Sequence, residues 1–187
     1  MGATPTQEDM GNLAWASGPS GKGLPAGSGT AKQGANVFLG RCSMCHGANL
    51  QGVHWQPGEF SPVMGLPLAR PDGGGLAGSG SAPNKEARSP WTPPITGGAP
   101  FPEVIFNTVA VEMPMLRPGT LKADDVYAIT AYIFFKNGLI KEDDVMNKDT
   151  LPKVQMPNRF FFPSSDAVYM DMNKRGCYQT HGVCLGE

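Results

Sequence analysis

The chain has 187 residues, a formal net charge of −1, 25 glycines and 18 prolines. That length suits one domain with extensions, and a near-neutral charge excludes a nucleic-acid partner argued from charge. The glycine and proline content predicts long irregular loops, and no run approaches the roughly twenty apolar residues that span a membrane.

Residues 1–29 read as an N-terminal arm. Met1-Gly2-Ala3 is followed by polar residues, not by a basic start and an apolar run, so the chain reads as a form without a signal peptide. Thr4-Pro5-Thr6-Gln7 has the pattern of a capping box and predicts a short helix. Glycine and serine punctuation from Gly18 to Gly29 then lays a loop over a surface. A second capping box, Thr30-Ala31-Lys32-Gln33, opens a helix predicted from Ala31 to Arg41. Gly34 and Phe38, four apart, share one face of it, and the glycine marks the close approach of another helix.

Cys42-Ser43-Met44-Cys45-His46 follows at once. Cys-x-x-Cys-His is the attachment pattern of a c-type haem. Two thiols have to add across the two vinyl groups of one porphyrin, and a helical turn sets residues three apart on one face. Cys42 and Cys45 are the predicted thioether positions, and His46 is the predicted proximal iron ligand. The rival readings are a thioredoxin-like redox pair and half of a zinc site. A redox pair calls for an α/β pattern, and zinc for a second ligand pair of like spacing. The other two cysteines, Cys177 and Cys184, are far away and have no such context. One covalent haem c is therefore predicted.

From Gly47 to Pro100 there is almost no periodicity, which predicts a long loop around one haem edge, anchored by Trp55, Phe60, Trp91 and Ile95. His54 lies in it and reads more readily as a surface histidine than as a ligand. Pro102 to Val109 predicts a short helix with Glu103 in the first turn, where its charge complements the helix dipole. Met113-Pro114-Met115-Leu116-Arg117-Pro118-Gly119 then forms a stiff irregular segment suited to holding a side chain in place. Met113 and Met115 both lie in this segment.

A helix is predicted from about Lys122 to Lys136, with Asp124 and Asp125 in its first turn and Asn137-Gly138 as its cap. Its buried stripe is Val126, Ile129, Tyr132 and Ile133, with Ile129 and Tyr132 facing Gly34 and Phe38 where the helices cross. Beyond Gly138 the pattern decays. The prolines of Leu151-Pro152-Lys153-Val154-Gln155-Met156-Pro157-Asn158 predict an extended segment. Phe160-Phe161-Phe162 needs a surface to bury it, either of this domain or of a partner.

Helix, attachment turn, loop, short helix, Met-Pro and a last helix, in that order, resemble the mono-haem cytochrome c domain of class I over roughly residues 30–138. The resemblance implies an all-α domain with an arm at 1–29 and an extension at 139–187. It also implies a distal methionine between the loop and the last helix as sixth iron ligand, where Met113 and Met115 both qualify, and favours Met113, because Met113-Pro114 and Pro118-Gly119 match the family's Met-Pro and Pro-Gly. A thioether ligand raises the potential relative to a second imidazole, and six-coordinate iron implies outer-sphere electron transfer.

More narrowly, three phrases resemble the cytochrome subunit of Sox-type sulfane dehydrogenases and related sulfite dehydrogenases. They are Gly23-Leu24-Pro25-Ala26-Gly27-Ser28-Gly29-Thr30-Ala31, Asp125-Val126-Tyr127-Ala128-Ile129-Thr130-Ala131-Tyr132-Ile133 and the Leu151–Asn158 segment. This implies a molybdenum-cofactor dehydrogenase subunit as electron donor, with a downstream cytochrome c or other acceptor. Such a chain carries electrons and is not an enzyme on its own. The alternatives are a free electron carrier, and a haem enzyme or sensor using Cys177, Cys184 or His181 as an unusual ligand. Haem is attached to thiols outside the bacterial cytoplasm, which predicts a periplasmic location. An oxidising compartment also predicts a Cys177–Cys184 disulfide, with Gly182 easing the reversal of the chain.

Overall fold

The computed structural model describes residues 10–52, 67–69 and 99–156, together with Thr4, Thr6, Gly65 and Arg159. Of the expected helix at Thr4–Gln7 only Thr4 and Thr6 are described, and the anchors Trp55, Phe60, Trp91 and Ile95 and the Phe160–Phe162 cluster lie outside the described residues.

Helix α1 spans Ala31–Arg41. Its capping box is complete: Gln33 N–H donates to the Thr30 hydroxyl, and Thr30 N–H donates to Gln33 Oε1 at 2.9 Å. Ala31, Gly34 and Phe38 form its buried face. The short α2, Ser43–His46, follows directly. Helix α3, Glu103–Asn107, runs into a π turn over Thr108–Glu112, closed by Met113 N–H on the Thr108 carbonyl at 3.2 Å.

Helix α4, Ala123–Lys136, is the spine. Its C-terminus is a Schellman motif: Leu139 N–H donates to Phe134 O, Gly138 N–H donates to Phe135 O, and Gly138 takes φ 70°. α1 crosses α4 where Gly34 meets the Ala128 carbonyl, and Phe38 packs on Tyr132 at 5.4 Å between ring centroids. The expected crossing is present, but the residue directly against Gly34 is Ala128, not Ile129.

Burial on α4 exceeds a stripe, since every residue from Val126 to Phe134 is buried. The arm and the extension cover the face that an isolated helix pair would leave wet. Strand β1, Ser28–Gly29, pairs antiparallel with β2, Met146–Asn147, and Gly29 lies against the Ala128 backbone. Ser28 N–H donates to Asp124 Oδ1 at 2.8 Å, and the Tyr127 hydroxyl donates to the Pro25 carbonyl at 2.9 Å. Met146, Leu151, Val154 and Met156 join the same core. The Leu151–Lys153 piece is a 3-10 turn and not extended, because the fixed φ of Pro152 suits the first residues of a helical turn.

Candidate haem-binding site

Cys42 sits between α1 and α2. Its N–H closes α1 on Phe38 O at 2.8 Å, and its carbonyl accepts from Cys45 N–H at 3.1 Å and His46 N–H at 2.9 Å. One turn therefore holds Cys42, Cys45 and His46 together, all half-buried. Gly47 ends it with φ 74°, and His46 O accepts from Gly52 N–H at 2.8 Å. Behind it the chain takes a left-handed conformation at Leu50 (φ 60°), which costs a branched residue roughly 1 kcal/mol. The fully buried Leu50 side chain and two bonds to its carbonyl, from Leu68 and Ala69 N–H, offset that cost.

The loop backbone presses on this turn. A Cβ on Gly65 would coincide with the Cys45 carbonyl and lie 3.0 Å from His46 N. Only glycine fits there. On its inner side the His46 ring lies 6.5 Å from Phe38, which continues to Tyr132 on α4.

The donor chemistry separates the readings. Burial first, and the Cys45 thiol second, push Cys42 up to about 11, against a lowering by Arg41. A thioredoxin-like nucleophile needs a lowered thiol pKa, so that reading loses its basis. Among the described residues no three His, Cys or carboxylate side chains are grouped to hold a metal ion, which leaves a zinc site unsupported. Two adjacent thiols and an imidazole on one rigid turn fit covalent haem.

Met113 is half-buried and extended at the end of the π turn, whereas Met115 is 62% exposed. His54, Cys177, His181 and Cys184 lie outside the described residues. Glu103 stands in the first turn as expected, and it is fully buried there, with neither carboxylate oxygen hydrogen-bonded. Desolvation raises its pKa, while its own backbone N–H lowers it.

A helical domain whose first long helix ends in a two-thiol, one-imidazole turn defines a c-type haem carrier. The family model described as Cytochrome c matches residues 31–134, and the chain belongs to that family. Covalently bound haem c and an electron-transfer role come with that membership, and Cys42 and Cys45 fit its attachment motif. The chain is also similar to the crystal structure of the sulfane dehydrogenase SoxCD from Paracoccus pantotrophus. The TM-score is 0.67 at 28% sequence identity, over 93% of this chain and 76% of the other. No curated protein matches the sequence. Among the described residues no helix is long and apolar enough to cross a membrane.

Proposed function

We propose that this cytochrome is the haem subunit of a periplasmic molybdenum-cofactor dehydrogenase of the sulfane or sulfite type, passing its electrons singly to a downstream acceptor. One observation carries the reading. The family model stops at residue 134, but the likeness to SoxCD extends over 93% of the chain. It therefore takes in much of the arm and the extension, which a free carrier does not need. Bound haem c supplies a one-electron ferric–ferrous couple. Cys42 and Cys45 would hold it as thioethers, with His46 and Met113 as the ligands to its iron. Met113 is preferred because the π turn ends on it and keeps it half-buried, whereas Met115 faces solvent. In the same compartment Cys177 and Cys184 pair as a disulfide.

The test is capture of the holoprotein from its native host, with metal analysis of what co-elutes. Molybdenum stoichiometric with haem iron is expected. A haem chain recovered alone, with no molybdenum in any fraction that reduces it, would favour the free carrier.

A further inference from the structure

Asn12 lies in the arm, in a 3-10 turn over Gly11–Trp15, and is 8% exposed. Its side-chain Nδ2 donates to the Ala110 carbonyl at 3.1 Å and to the Leu121 carbonyl at 2.8 Å. Those carbonyls flank the segment that carries Met113. Neither has a donor from regular helix pairing. Ala110 lies inside the π turn, whose closing bond runs from Met113 N–H to the Thr108 carbonyl, and Pro114 beyond it has no N–H to offer. Leu121 precedes the N-cap Lys122, whose own carbonyl takes the first α4 bond, from Val126. A buried carbonyl left without a donor costs about 1–3 kcal/mol, and among uncharged side chains the amide NH2 supplies two hydrogens from one atom. Asn12 also lies beneath the loop's turn, where a Cβ on Gly119 would be 4.0 Å from Asn12 Cβ.

We propose that Asn12 is a positioning residue for the distal methionine: it ties both ends of the 111–120 loop together and so holds Met113 against displacement from the iron. The proposal rests on the reading of Met113 as ligand. The rest of the arm anchors elsewhere, since Ser17 N–H and O pair with the Asn107 side chain at 3.0 and 2.8 Å. That pair tethers the arm without touching the loop ends, so Asn107→Ala is the control.

The experiment titrates oxidised holoprotein with imidazole, following loss of the sulfur-to-iron absorption band. Asn12→Ala, which removes both donors, and Asn12→Asp, which turns a carboxylate toward two carbonyls, should each bind imidazole about tenfold more tightly than the parent. Asn107→Ala should not. Equal behaviour of the Asn12 variants and Asn107→Ala overturns the proposal. Met113→Ala runs beside them: if it keeps the band, the ligand assignment itself fails and takes this inference with it. If it loses the band while the Asn12 variants match the control, only this inference fails. Should the Asn12 variants yield no holoprotein, the parent protein decides. Exchange of the Asn12 side-chain amide protons should speed up when imidazole displaces the methionine, and an unchanged rate counts against the proposal.

Discussion

Gly34 and Ala128 meet where no side chain can stand: the Cβ that Gly34 lacks would fall on the Ala128 carbonyl. Gly34→Ala therefore gains roughly 1 kcal/mol of helix propensity and loses more by driving α1 away from α4. A net destabilisation of about 2 kcal/mol is expected, read as a lower denaturation midpoint of the holoprotein. The tilted Phe38–Tyr132 contact would open with it, so near-ultraviolet dichroism should weaken as well. A neutral substitution would show that the crossing is looser than this contact implies.

Met113→Ala should abolish the sulfur-to-iron band and lower the reduction potential, because a soft thioether favours ferrous iron. Met115, exposed on the far side of Pro114, should be replaceable by alanine with the band intact. The reverse pattern would move the ligand by two residues.

Glu103 makes stability depend on pH in a predictable direction. Desolvation raises its pKa in the folded state, so above the ordinary glutamate value of about 4.3 the unfolded chain releases a proton that the folded chain keeps. This contribution to stability is whole below that value and is lost as pH rises through the raised one. Glu103→Gln, which cannot ionise, should flatten this part of the curve. Denaturant midpoints measured between pH 4 and pH 8 give the comparison, and an unchanged slope in the variant would assign the dependence to other groups.

What the sequence disclosed follows from where each signal resides. The α1 capping box, the attachment turn and the Asn137-Gly138 cap are local, each written within a few residues, and each appears as read. The β1–β2 pairing is two residues a side and joins positions more than a hundred apart, so it has no period to detect. Continuous burial of Val126–Phe134 has the same origin: the covering pieces come from the arm and the extension. Glu103 appears in the first turn as read, but its burial was not legible, because the helix start that covers it is packed by segments distant in sequence. Asn12 carried no signal at all, since its two acceptors are 98 and 109 residues away.

Tyr127 links the arm to the spine, and its titration should report the link. The ring is fully buried beside Phe106, at 4.8 Å between centroids, and the hydroxyl donates to Pro25 O. Burial first, and Asp149 second, push the phenol up to about 12. An unfolded tyrosine ionises near 10, so between about pH 10 and 12 the unfolded chain sheds a proton that the folded chain retains. This contribution is whole below pH 10 and falls by up to about 1.4 kcal/mol per pH unit above it. Tyr127→Phe removes both the titration and the hydrogen bond, at a cost of about 1 kcal/mol at neutral pH. The variant should lose this part of its alkaline sensitivity. At pH 7 its arm should open more often, giving faster trypsin cleavage after the exposed Lys22. Cleavage at the parent rate would mean that β1 and Asn12 hold the arm without Tyr127.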